Sequence, residues 1–561
     1  MKKMVSILLS ALMIAAAALA FPLSSMAKDE ESDPVGISDA AGFAAMETGG
    51  SYFLTQDITI SATHVAAFSG TFDGKGHKIT TSVALFDTFQ GVAKDFTIEG
   101  AVTGSGDRGG VFCNTITGET TLSGIVNKAN LLAPESQAAN ADELEVTGSF
   151  GGIVGTTVKS VPLTIENCEN YGKITGYDAG GIIGKSHAAL TMRNCKNFGD
   201  VSAGDCAGGL MSWPWGDFTI ENCVNGSETV TPDITSSGDA PGGIVSYISG
   251  NTNGTFKNCV NYGHVHSAEK DAAGIMGRAG KNGRHVYEDC VNYGPVEGAH
   301  AAGIAGADGA AVTILRCFNY AEIQGATQAA GIIASLGASG GTKEESTITY
   351  SANEGKITAN KDTAGGIAAY VNGSSVSRIT IKGCYNNGDV TGGCEASGIL
   401  GYYNGGSDSS AVACFNTGLI YTTNSGEKPL AIFYNKGENA DASLTKDNFY
   451  LAGCATNESR FKNDYLDMNP TDGDKFAYGE VCYKLNQALG EEVFFQTIGT
   501  DAFPTFDASH KRVVFDGQNY SNPADAGGNP STGDSTMLFA AVAVISLLGA
   551  GYVVSRRRRA E

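Results

Sequence analysis

Ile165–Gly184 reads IENCENYGKITGYDAGGIIG, and the chain returns to this string along most of its length. The stretch carries neither the 3.6-residue stripe of an amphipathic helix nor a sustained alternation. It sets Cys168 and Asn170 two apart, breaks at Gly172, and resumes with a Gly-Gly pair before Ile182. Aligned on the cysteine, later copies read MRNCKNFGDV from Met192, FKNCVNYGHV from Phe256, YEDCVNYGPV from Tyr287 and IKGCYNNGDV from Ile381. The column runs Ile125, Cys168, Cys195, Cys223, Cys259, Cys290, Cys317, Ser351, Cys384, Cys414, in steps of 27 to 36 residues after the first. Two places further on, asparagine fills all nine copies from Asn170 to Asn416. A second block interleaves with the first, as FGGIVG at Phe150, AGGIIG at Ala179, PGGIVS at Pro241 and AAGIAG at Ala301.

A fixed period of this size marks a stacked repeat. Each copy holds about three short apolar segments separated by Gly, Asn and Asp, residues that helices tolerate poorly. The expected fold is all-β, a right-handed parallel β-helix with three short strands per rung. Successive rungs lie about 4.8 Å apart, so identical residues stack in register. The asparagines predict a hydrogen-bonded ladder in a turn. The glycines two places later, Gly172 among them, predict a positive φ at that point. A content of 76 Gly in 561 residues suits this reading.

The glycine-isoleucine block resembles the GLUG motif of bacterial surface proteins. FSGTFDGKGHKIT, from Phe68, resembles the first rungs of pectate-lyase-like β-helices. The segment from Gly479 to Phe515 resembles a module that often follows such repeats in cell-surface proteins. These resemblances imply architecture and say little of function.

The N-terminus reads as a secretory signal: Lys2 and Lys3, an apolar run, then Ser25-Met26-Ala27. Near the other end, Asn529-Pro530-Ser531-Thr532-Gly533 precedes an apolar run from Met537 to Val554 and the basic Arg556–Arg559. The run is long enough to span a bilayer, with the arginines on the cytoplasmic side. The order of parts resembles the LPXTG-type cell-wall sorting signal of Gram-positive bacteria, with Asn529 in place of that family's leucine. The resemblance implies cleavage by a sortase between Thr532 and Gly533 and attachment of Thr532 to cell-wall peptidoglycan. The chain then divides into a signal peptide (1–27), N-terminal strands and first rungs (28–105) and the repeats (106–425). After these come a last rung with a cap module (426–516), a linker with the sorting motif (517–532), and a transmembrane sorting helix with its tail (533–561). A net charge of −22 argues against nucleic acid as a partner.

Three features are candidates for chemistry. The cysteine column reads as small packing thiols, with disulfides or metal ligation as alternatives. After the asparagine turn, alternation puts His264 and His266 on one strand face, with Glu297 and Glu322 on neighbouring rungs. Two carboxylates and two histidines suit acid/base hydrolysis or a metal, and they equally suit a solvated strand face. SWPWGD, Ser212 to Asp217, holds both tryptophans where a turn is expected; Trp213 and Trp215 read either as stacking groups for a sugar ring or as a plug. No resident metal or cofactor is expected. The acidic calcium cluster with an arginine that β-helix lyases use is not evident. The sequence therefore points to a wall-anchored, adhesin-like or structural surface protein presenting a face to a glycan or protein ligand. The alternative is a polysaccharide lyase or glycoside hydrolase on the same scaffold.

Overall fold

The computed structural model describes residues 33–523 apart from 105–107, 137–147, 338–343, 373–377, 404–409, 425–428, 436–445 and 456–467. Within them, Leu163–Glu166 pairs in parallel with Leu190–Arg193, that strand with Phe218–Glu221, and that with Gly254–Lys257. Each partner lies one repeat further on, so the chain completes a turn before it pairs. Parallel pairs of this kind link Val35–Ile37 at one end to Met468–Thr471 at the other. The protein is an all-β, parallel-strand solenoid.

A rung has five short strands where the sequence predicts three. One rung comprises Ser149–Gly151, Val154–Thr157, Leu163–Glu166, Glu169–Asn170 and Ile174–Gly176. The extra breaks have a local cause. The residue just before the cysteine sits in the left-handed region, at φ 54° in Asn167, 53° in Asn194 and 55° in Asn222. Asparagine tolerates that conformation better than most side chains. The expected positive φ at the later glycines is not found. Those glycines serve close approach instead: a Cβ on Gly199 would lie 2.0 Å from the carbonyl oxygen of Gly172.

The asparagine ladder is present and begins one rung earlier than the nine-copy column, at Asn127. From Asn127 to Asn416, each Nδ2 donates to the Oδ1 of the next rung at 2.7 to 2.9 Å. Asn261 uses its whole capacity. It donates to Gly263 O and Asn292 Oδ1, and accepts from Gly263 N and Asn225 Nδ2. The second glycine of the interleaved block lies against this amide. A Cβ on Gly243 would stand 2.5 Å from Asn261 Oδ1, and one on Gly181 2.5 Å from Asn197 Oδ1. The two sequence blocks are thus the two sides of one buried contact.

Inside, the first rungs are filled by phenylalanines such as Phe68, Phe72 and Phe86, against which Phe43 of the short helix Ala40–Ala44 packs. Later rungs are filled mainly by Ile, Val, Leu, Ala and Cys. None of the thirteen cysteines is in a disulfide, and twelve are buried. In the column, Cys195 Sγ donates to Arg193 O at 3.3 Å, and burial pushes its thiol well above the usual range. The column is packing.

The C-terminal module lies beside the solenoid. Val481, Cys482, Leu485 and Leu489, from the helix Glu480–Leu489, share a core with Phe494 and Phe506. That core includes Val291, Phe318, Ala352, Tyr385 and Phe415, the middle residue of the Cys-x-Asn motif in five consecutive rungs. The same position holds Glu169 and Lys196 in earlier rungs, where it is only half-buried. The module is therefore a flank brace, not only an end cap. It runs past the expected start of the linker, since Val514–Phe515 pairs antiparallel with Tyr520–Ser521. Among the described residues, no helix is long and apolar enough to cross a membrane. The signal stretch 1–27, the sorting motif and the apolar run 537–554 lie outside the described residues.

Asn261→Ala strands four buried hydrogen-bonding partners at once, each worth about 1–3 kcal/mol if unrelaxed. A loss of about 3 kcal/mol or more is expected, read as a lower urea midpoint. Asn258→Gly removes only an exposed side-chain bond to Asn222 and keeps the left-handed backbone. It should change stability by no more than about 0.5 kcal/mol.

Candidate functional site

The outward positions of the strands after the glycine pair form one surface column. Register places Lys185 beside Trp213, and Tyr247 beside Arg278. Trp213 and Tyr247 join these pairs edge-on, with ring centroids 5.0 Å apart. Trp213 stands on the strand Met211–Pro214, so the expected loop begins only at Trp215. It is held on every side: Lys185 Nζ lies 4.8 Å over its ring, Trp215 stacks on it at 5.3 Å, and its Nε1 donates to Ser249 Oγ at 2.6 Å. Trp215 is the open partner, 39% exposed, with His187 against it at 5.5 Å.

Aspartates gather alongside. Each lies one or two residues ahead of the glycine block, and the bend folds it back on the surface column. Asp178 meets Lys185 at 2.6 Å, both nearly buried. Arg278 reaches Asp239 at 3.7 Å and Asp271 at 3.8 Å, and Asp271 also meets His300 at 2.6 Å. Ligand atoms of Asp178 and Asp205 lie within 4.8 Å of each other. Burial pushes the Asp178 carboxyl up, in spite of Lys185. Burial, then the charges of Asp178 and Asp239, push Asp205 up to about 6. A carboxyl that holds its proton near neutrality can donate it to a leaving oxygen.

This acidic row with its arginine was not visible in the sequence alone. The signal was there, as DAGG, DCAGG, DAPGG and DAAG ahead of successive blocks. The one-residue slip between copies broke the column. Lys185 and Arg278 hid in the same way, because their column otherwise holds uncharged residues.

The second predicted cluster is partly assembled. His264 and His266 lie on one strand with rings stacked at 4.6 Å, and Glu297 Oε1 is 3.7 Å from His264 Nε2. Glu322 pairs instead with Lys356 at 3.2 Å. Asp233, which the sequence did not single out, lies 3.4 Å from His264 Nδ1. Its rung carries extra residues after Asn225, closed by a Ser227–Val230 bridge, and these shift Asp233 out of the aligned column. Burial, then the neighbouring His264, hold the His266 imidazole below its usual value.

No protein-family model and no curated protein matches the chain. Among solved structures, a candidate immunoglobulin A1 protease from Bacteroides ovatus is similar over 48% of this chain and 78% of its own, at 14% identity and a TM-score of 0.32. A likeness of that size carries no argument about this chain.

The raised Asp205 carboxyl fixes the sign of a pH effect. Its folded value, about 6, exceeds the reference 3.8, so the stability it contributes is present at low pH. That stability is lost as pH rises through the window between the two values. Asp205→Asn is expected to raise Tm at about pH 7.5, with the gain shrinking toward zero near about pH 4. Thermal unfolding of both proteins across that range checks it, and a variant less stable than the parent at neutral pH contradicts it.

Proposed function

We propose that the chain is a secreted surface protein of a Gram-positive bacterium, a right-handed parallel β-helix joined by sortase to peptidoglycan through Thr532, that binds glycan. The hand is the one that parallel crossover connections adopt. The observation that carries the binding reading is the aromatic face of Trp213, Trp215 and Tyr247, flanked by Lys185 and Arg278. Flat aromatic surface receives the apolar face of a sugar, and fixed polar groups beside it receive hydroxyls. Because the rings are clamped by neighbouring rungs, little side-chain freedom is lost on binding. The resemblances to GLUG-motif and wall-sorted proteins support the placement at the cell surface.

A second reading rests on Asp205. A carboxyl raised to about 6 beside Asp178, next to an aromatic sugar platform, suits a polysaccharide lyase or glycoside hydrolase.

A glycan array separates these readings. Trp215→Ala and Tyr247→Ala should each weaken glycan binding by about tenfold or more. Binding that survives both changes excludes the aromatic face. The same glycans, incubated with the protein and assayed for new reducing or unsaturated ends, test the enzyme reading; Asp205→Asn should then abolish product. For anchoring, Thr532→Ala is expected to move the protein from the wall fraction to the membrane or medium, and unchanged wall attachment refutes the sortase route.

A further inference from the structure

His264 and His266 flank the inward Val265, so their imidazoles share the outward face of one strand. The preceding rung sets Asp233 opposite His264, and the following rung sets Glu297 opposite His266. Asp233 Oδ1 lies 3.4 Å from His264 Nδ1, and Glu297 Oε1 lies 3.7 Å from His264 Nε2. Both separations are long for an N–H···O hydrogen bond. Three pairs that are more enclosed close tighter, His300 with Asp271 and His510 with Asp501 at 2.6 Å and His285 with Asp308 at 2.8 Å, while the exposed pair of His77 and Asp57 stands at 3.3 Å. A gap of about 3.4 Å is instead the edge of a tetrahedron whose donors each lie about 2.1 Å from a central ion. Ligand atoms of Asp233, His264 and His266 all fall within 4.8 Å of one another.

We infer that Asp233, His264 and His266 form a surface site for a divalent transition-metal ion of the zinc type, with one coordination position open outward. Two imidazole nitrogens and one carboxylate favour zinc, copper or nickel over calcium and magnesium, which take oxygen ligands. Glu297 completes the arrangement from the next rung. It stands 3.7 Å from His264 Nε2, a buried nitrogen that makes no hydrogen bond, while Nδ1 faces Asp233; a small side-chain movement would close the carboxylate-to-histidine support that metal-bound imidazoles use. Three rungs fix the spacing, so modest side-chain rotation closes the site. The step from Asn225 to Asn261 is 36 residues, against 27 and 28 for the two before it, yet the register still sets Asp233 between Asp200 and His264. The site arises once because, of the eight histidines, only His264 and His266 share a strand. The open position can take a water, a sugar hydroxyl or a ligand carboxylate.

Co2+ is the probe, added to the purified protein without a histidine tag. One equivalent should bind with visible ligand-field bands, and Zn2+ should displace it while Ca2+ does not. Asp233→Asn and His266→Ala, each checked for an unchanged circular dichroism spectrum, should each weaken binding by about tenfold or more. Glu297→Gln should weaken it less. No binding, or binding insensitive to Asp233→Asn and His266→Ala, overturns the assignment. A thiolate-to-cobalt band lost in Cys394→Ser or in Cys206→Ser also overturns it, since that result places the ion at Asp362, Cys394 and Glu395 or at Asp178, Asp205 and Cys206, whose ligand atoms are also suitably spaced.

Discussion

The solenoid depends on a buried amide that must be satisfied on every side. Each ladder asparagine is fully buried, and an amide in that position is costly unless its donors and acceptors are all paired. Its partners are the asparagines above and below and the backbone of its own turn. The room for it exists only because a glycine faces it. Register follows from this, because slipping one rung by a single residue would unpair two amides and drive a Cβ into a third. Chain length between asparagines is left free. Steps from 27 to 43 residues all close the ladder, and the surplus leaves through the outer turns.

That freedom separates scaffold from surface. Inward positions repeat because the lumen has one width, with small thiols and branched aliphatics filling it. Outward positions answer to whatever lies beside them. The middle residue of the Cys-x-Asn motif shows this, being charged at Glu169 and Lys196 and apolar from Val291 to Phe415, where the C-terminal module covers it. Val126 and Val224 hold the same position uncovered and half-buried, so it is the full burial from Val291 onward, with larger rings at Phe318, Tyr385 and Phe415, that marks the footprint of a partner. In this chain the partner is its own C-terminus.

The stacking is legible in the sequence because it is periodic: the asparagine, cysteine and glycine-isoleucine columns recur from rung to rung. What depends on the bend between strands is not. Asp178 meets Lys185 seven residues later, and Asp271 meets Arg278 at the same interval, a spacing that alternation alone does not single out. Asp233 was displaced by extra residues. His285 is a different case. It sits in the interior, paired with Asp308 and with Thr252 O, while Tyr287 donates to the same aspartate. Its one-residue spacing from Tyr287 reads as ordinary alternation, and only the fold reveals that both side chains converge on one carboxylate.

Charge narrows what the aromatic face accepts. Lys185 and Arg278 are cations, but each is already engaged, by Asp178 and by Asp239 with Asp271. Asp205 adds a further acid, and the chain carries a net charge of −22. A polyanion approaching this face meets more carboxylates than cations, and it must break existing ion pairs to reach the cations. A neutral or amino-bearing sugar meets no such penalty. Such a sugar would stack on Trp215, offer hydroxyls to paired carboxylates that still have acceptor capacity, and, if it carries an ammonium group, offset the carboxylate charges of Asp178 and Asp239 that, after burial, raise the Asp205 carboxyl. If this face takes the glycan proposed above, neutral or cationic glycans suit it better than polyanions, and affinity for an amino sugar should rise with pH as Asp205 ionises.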